Sequence, residues 1–215
     1  MDAASFLNQV RLELGAVNKR VEEHPLLAEA ERGALPLDTI KLFVENQYYI
    51  VHHDLRSLSL MVSRASDEFE INYLQKLQQG DAAAFKELKK LGAEIGAPLT
   101  EFPKLRIIPA AVSYTHYLAW LALYGNTGEQ VFALIVNLPV WGSACSRLGN
   151  ALREKYGIKN TGFLDGFASL PEWLEEDGLL IIERYLAASR DRMRMIAKII
   201  QSYETSFWDA VHKGV

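Results

Sequence analysis

Apolar residues recur along most of this chain every three or four positions, the spacing of one face of an α-helix. Phe6, Val10, Leu14, Val17 and Val21 form the first such stripe. His24-Pro25 interrupts it, and a short helix is expected from there to Gly33, where glycine supplies a cap. The clearest stripe is Leu37, Ile40, Val44, Tyr48, Val51, Leu55, Leu58 and Val62, with Pro36 just ahead of it and Asp38 placed to cap its start. A helix over 69–79 follows. Asp81 then reads as the cap of a separate helix carrying Phe85, Leu88, Leu91 and Ile95 and ending near Gly96. Residues 97–109 hold Pro98, Pro103 and Pro109 and read as the longest loop. An aromatic-rich helix over 110–124 is closed by Gly125. From Thr127 a helical pattern continues to Tyr156 with Pro139 inside it. A proline there removes one backbone hydrogen bond and crowds the preceding turn, which predicts a kink or break near Asn137-Leu138. A short helix over 163–169 leads to Pro171 at the start of a last helix carrying Met193, Ile196, Ile200, Tyr203, Phe207 and Val211. Strand-like alternation never exceeds a few residues, and there is no internal repeat. The pattern predicts an all-α, multi-helix bundle with short connections, a single domain over residues 1–215.

Composition narrows the function classes. At 215 residues the chain can bury a sizeable core, and 49% hydrophobic with 23% charged residues is ordinary for a globular protein. The net charge is −4 and no run of Lys or Arg stands out, so neither nucleic acid nor an anionic membrane is an expected partner. Cys145 is the single cysteine, which excludes an intramolecular disulfide and a cysteine-rich zinc site. The start of the chain lacks the basic and apolar regions of a signal peptide. The longest apolar runs, such as Val131 to Val136, fall short of the roughly 20 residues that span a bilayer. A cytoplasmic location is expected.

Ligand sites in a helical bundle are built from side chains that project between helices, so polar residues inside apolar helices are the candidates. On the helix from Leu37, a second stripe runs Phe43, Gln47, Ile50, Asp54, Ser57 and Met61. Gln47 and Asp54 then lie near the core and need partners; the plainer reading is that this stripe faces water. Tyr114, His116, Tyr117, Trp120 and Tyr124 crowd one helix. Rings with hydroxyls suit a flat heteroaromatic ligand, although core rings with satisfied hydroxyls give the same spacing. Glu204 borders a buried stripe beside Tyr203, Phe207 and Trp208. Desolvation there would raise its pKa and make it a candidate general acid, or it is a rim glutamate with its head in water. No metal site is expected. His52 and His53 are adjacent and point about 100° apart on a helix, and no histidine occurs between Tyr117 and Val211 to complete a site with Glu45 and His52. No glycine-rich phosphate loop is present, and no cofactor is expected.

Three segments resemble the TenA family of thiaminase II-like proteins. The first is His24-Pro25-Leu26-Leu27, then Gly33 to Pro36, then Asn46-Gln47-Tyr48-Tyr49. The second is Tyr114-Thr115-His116-Tyr117-Leu118, then Gly125 and Leu138-Pro139-Val140-Trp141. The third is Tyr203-Glu204-Thr205-Ser206-Phe207-Trp208. Their order along the chain carries the resemblance. It implies a haem-oxygenase-like helical bundle with a central pocket, without implying haem, and a homo-oligomer, dimer or tetramer. It also implies a small thiamine- or pyrimidine-related ligand. Glu204 matches the family's catalytic acid, and Tyr114 or Tyr117 its pocket tyrosine; the motifs do not choose between them.

The departures from the family carry as much weight. Val140 stands where the resemblance places the nucleophilic cysteine. Cys145 lies five residues later, about 140° round the helix. Gln47 replaces the aspartate that anchors an aminopyrimidine, and Phe167 replaces a pocket tyrosine. The expected pocket therefore combines Gln47, Tyr48, Asp54, Tyr114 or Tyr117, Val140, Phe167, Phe207 and Trp208 around Glu204. Thiaminase-type hydrolysis through a thiolate is not expected of it. Three readings remain: an enzyme acting on a heteroaromatic molecule without a cysteine, a cofactor-free or metal-dependent oxidase like the pyrroloquinoline-quinone synthase group, and a non-catalytic ligand-binding protein.

Overall fold

The computed structural model describes residues 1–99 and 102–215. Among these, helices alternate with short connections and no strand occurs. The helices are α1 (Ala3–Glu13), α2 (Gly15–Glu22), α3 (Pro25–Glu31), α4 (Leu37–Arg64), α5 (Glu68–Ile95), α6 (Ser113–Tyr124), α7 (Thr127–Tyr156), α8 (Gly162–Ala168) and α9 (Trp173–Lys213). The all-α bundle is as the apolar spacing predicts. The loop expected over 97–109 includes Thr100 and Glu101, which lie outside the described residues; a 3₁₀ turn occupies Phe102–Lys104.

Four boundaries differ from expectation. The first stripe is split between α1 and α2 at Leu14, whose carbonyl accepts from both Val17 and Asn18 at 2.9 Å, a tightened turn ahead of Gly15. Asp38 sits in the first turn of α4 and leaves the N-cap position to Pro36. Gly80-Asp81 does not break the chain: α5 runs through it for 28 residues. A mid-helix glycine costs only about 1 kcal/mol, and Tyr73, Leu74, Leu88, Leu91 and Ile95 bury one long face that outweighs it. α7 likewise passes through Pro139 unbroken, held at its start by a reciprocal Asn126–Glu129 capping box. Gly157 then ends α7 in the left-handed conformation, φ 68°, which glycine adopts without strain.

α7 packs mainly on α9, and α4 on α5. By length and apolarity α7 could cross a membrane, but 72% of its apolar window is buried inside the protein, so it is the core helix of the bundle. The buried side chains form two apolar clusters, one above the other along the bundle. Each long helix contributes to both. α4 passes from one to the other between Val51 and Leu58, α5 between Leu74 and Leu88, α7 between Val136 and Val140, and α9 between Ile200 and Phe207. At those four crossings stand Asp54, Asp81, Asn137 and Glu204. A polar layer thus separates two apolar halves.

Candidate functional site

A cavity of about 450 Å³ opens at this polar layer. Its size falls in the range of small-molecule sites. α4 supplies Gln47, Ile50, Val51, Asp54 and Leu58 to its wall, and α7 supplies Leu134, Asn137, Leu138 and Trp141 at the three- and four-residue steps of one helix face. Phe167 from α8 and Phe207 from α9 add aromatic rings, each edge-on to Trp141 at 5.9 and 5.8 Å. The mouth lies by the exposed Lys76, Gly80, Gly166 and Pro171, between the middle of α5 and the α8–α9 connection. α8 is pressed close to α7: a Cβ on Gly142 would come within 2.4 Å of the Phe167 carbonyl oxygen. Only glycine lets that wall stand where it does.

Glu204 is 4% exposed. Its Oε2 accepts from Asn137 Nδ2 at 3.0 Å and its Oε1 from Trp208 Nε1 at 2.8 Å. Asn137 also donates to Gln201 Oε1 at 2.9 Å, and Gln201 to Asn18 at 2.6 Å, so a relay of amides fixes the carboxyl from behind. Burial raises the Glu204 pKa, and the two donated hydrogen bonds oppose the rise. Asp54 is 7% exposed and accepts from Thr115 Oγ1 at 2.5 Å. Burial pushes its pKa well up, and the nearby Asp81 carboxyl adds to this. Asp81 keeps partial access to solvent, yet the surrounding protein raises its pKa to about 7. Burial, with Asp54, Glu204 and Asp81 nearby, likewise holds the Tyr114 hydroxyl in its neutral form.

Three of the wall's polar side chains have no hydrogen-bonding partner among the described residues: Gln47, Asp81 and Tyr114. Gln47 is only 5% exposed. With no partner among the described residues, its amide is left to bond with whatever occupies the cavity, water included.

The sequence-derived candidates divide. Gln47, Asp54, Tyr114, Phe167, Phe207 and Glu204 meet at the cavity. Tyr48, Tyr117, Val140 and Trp208 do not line it, contrary to expectation. Tyr48 is one residue round α4 from Gln47 and packs on Phe85 and Phe102, at 5.0 and 5.4 Å between ring centroids. Tyr117 stacks on Trp120 at 5.5 Å, and its buried hydroxyl has no hydrogen-bond partner among the described residues. Tyr114 is therefore the tyrosine at the cavity. Val140 is turned off the Asn137–Trp141 stripe into the core. Trp208 is fully buried behind Glu204, where it serves as a hydrogen-bond donor. Cys145 is buried among apolar side chains, which pushes its thiol pKa well up, and it does not reach the cavity. Asp81 and Asn137 are among the wall residues that the sequence does not single out. Asp81 was hidden by its resemblance to a helix cap. Asn137 was hidden by the break expected at Pro139, although a polar residue in the run Val131 to Val140 is itself a signal. No group of His, Cys, Asp and Glu among the described residues is arranged to hold a metal ion.

A model of the TENA/THI-4/PQQC family matches residues 13–213. No curated protein sequence is detectably similar to the chain. Among solved structures, a TenA homologue from Pyrococcus furiosus is 22% identical, with 96% of this chain and 99% of that one covered at a TM-score of 0.78. A TenA homologue from P. horikoshii OT3 is 23% identical, covering 98% and 99% at 0.79. A TenA-like thiaminase candidate from Sulfolobus solfataricus P2 is 16% identical, covering 100% and 97% at 0.73. At these identities the likeness carries the fold.

Proposed function

The chain belongs to the TENA/THI-4/PQQC family, and from that premise we propose that its central cavity binds a small heteroaromatic base related to thiamine or its pyrimidine half. The observation that carries this reading is the set of unpartnered polar groups, Gln47, Tyr114 and Asp81, converging on an aromatic cavity beside the buried Glu204. An amide offers one donor and one acceptor edge, which suits a ring nitrogen next to an exocyclic amine. Phe167, Phe207 and Trp141 provide apolar faces for the ring.

Glu204 is the proton carrier in this reading. A carboxyl whose pKa is raised by burial stays protonated nearer neutral pH, and can donate to a ring nitrogen or a leaving group. No cysteine lines the wall, so the transformation proceeds without a thiolate adduct. That absence also favours a second reading, in which the same pocket holds its ligand without turning it over.

The test is a thermal-shift and calorimetric screen of heteroaromatic bases, aminopyrimidines and thiamine first. The wild type is expected to bind at least one. Tyr114→Phe and Gln47→Leu should each weaken that binding by about tenfold, the loss of one hydrogen bond. Glu204→Gln should abolish turnover and leave binding in place if the protein is an enzyme. If no base raises the melting temperature, or if both wall variants bind as the wild type does, the proposal fails.

A further inference from the structure

The polar layer has an apolar tier on either side, and the cavity reaches into both. On four helices a leucine stands one turn from the polar residue, always toward the same half of the bundle. Leu58 is four residues after Asp54 on α4, Leu77 four before Asp81 on α5, Leu118 four after Tyr114 on α6, and Leu134 three before Asn137 on α7. Steps of three and four keep each leucine on the face of its polar neighbour, and all four line the cavity. Leu58, Leu118 and Leu134 are 3%, 1% and 6% exposed, and belong to the second apolar cluster; Leu77 packs against it. Trp141 and Phe207 lie on the opposite side of the layer, in the first cluster, and Gln47 stands one turn before Ile50 of that cluster. From Gln47 to Leu58 is eleven residues of helix, about 16 Å along its axis. A leucine- and phenylalanine-lined cavity of about 150 Å³ already holds benzene, so one ring set against Gln47 and Glu204 fills about a third of the 450 Å³ here. Resting on the reading that this cavity binds a heteroaromatic base, we infer that the ring carries an uncharged hydrocarbon arm, about four to six carbons long to cross one helical turn, seated on the tier formed by Leu58, Leu77, Leu118 and Leu134.

Water is a poor occupant of that end. A buried water needs about two to four polar partners, and the leucine side chains offer none. A charged arm fits no better, because against leucine it loses its hydration without a hydrogen bond in return. An anionic arm such as a phosphate also lacks a counter-ion. Among the described residues of the wall, Lys76 is the one cation, and it lies at the exposed rim, paired with Asp177 at 3.2 Å. A hydrocarbon arm gains from each methylene taken out of water. Asp54 and Asp81 do not oppose its passage, since burial shifts both carboxyls toward their uncharged form.

The test is calorimetry on the full chain with one aminopyrimidine bearing a methyl, a butyl or a 3-hydroxypropyl arm. Each buried methylene is worth about fourfold in affinity, so the wild type should bind the butyl compound about fiftyfold tighter than the methyl one. The heat-capacity change should grow more negative with arm length. The hydroxypropyl compound, equal in length to the butyl one, should lose most of the gain. Leu118→Phe and Leu134→Phe fill the tier, and each should bring the butyl-to-methyl ratio close to one. Equal affinity of the methyl and butyl compounds for the wild type overturns the inference without recourse to a variant. So does a hydroxypropyl arm that binds as tightly as butyl, or a butyl preference that survives both substitutions. If no aminopyrimidine binds, the reading of the cavity as a base site falls. Butylbenzene then tests the leucine tier alone, with binding weakened in Leu134→Phe as the expected result and no binding to the wild type as the overturning one.

Discussion

Replacing Asp81 by asparagine should make the protein more stable, and only above mildly acidic pH. Burial raises the Asp81 carboxyl from 3.8 to about 7. Between those values the unfolded chain has released its proton and the folded chain retains it, so unfolding is favoured increasingly as pH rises and the penalty levels off above about 7. The full rise corresponds to about 4 kcal/mol; water reaching the carboxyl from the mouth screens part of it, which leaves about 2 to 4. Asparagine is nearly the same shape and never ionises. It also removes the charge that pushes Asp54 up, an effect of the same sign. Urea unfolding of both proteins at about pH 4.5 and about pH 8 isolates the effect, because other titrating groups contribute equally to both. The variant should gain little at the lower pH and about 2 to 4 kcal/mol at the higher, or roughly 4 °C or more in Tm for a chain of this length. A gap between variant and wild type that does not change with pH would refute the placement of Asp81 in an apolar wall.

Three further outcomes follow from the same geometry. Gly142→Ala should destabilise the fold by about 1 to 3 kcal/mol, read from urea midpoints, because the backbone of Phe167 cannot swing aside as a side chain could; the same shift of α8 should weaken ligand binding. Asn137→Leu removes a hydrogen bond that favours the Glu204 carboxylate, so the Glu204 pKa should move further up in a carbon-detected NMR titration. Cys145 should resist thiol reagents in the folded protein and react on addition of denaturant; rapid native labelling would show that its burial is misjudged.

The sequence carried the long helices because their apolar stripes are uninterrupted over many turns, as from Leu37 to Val62 in α4. It also carried Gln47, Asp54 and Glu204 as candidates, since each is a polar residue on a face that is otherwise apolar. Local signals misled where tertiary packing outweighed them. Gly80-Asp81 has the appearance of a break and a cap, but α5 buries side chains on both sides of it and stays whole. Pro139 suggested a break that the packing of α7 on α9 and α8 does not permit. The choice between Tyr114 and Tyr117 was not legible at all. They lie three residues apart, on nearly the same face, and only the position of α6 relative to α4 and α9 turns one to the cavity and the other to Trp120 and Tyr203. Val140 was placed at the cavity by its position after Pro139 in the family motif, but the helix directs Asn137, Leu138 and Trp141 there instead.

The central claim is that the polar layer between the two apolar halves is a ligand site. A crystal structure of the wild type soaked with an aminopyrimidine tests it most directly. The account predicts ring density inside the cavity, flanked by Trp141 or Phe207, with its nitrogens within hydrogen-bond distance of Gln47 and Glu204. An empty cavity with Gln47 and Asp81 paired to other side chains, or a ring bound anywhere else on the protein, would contradict it.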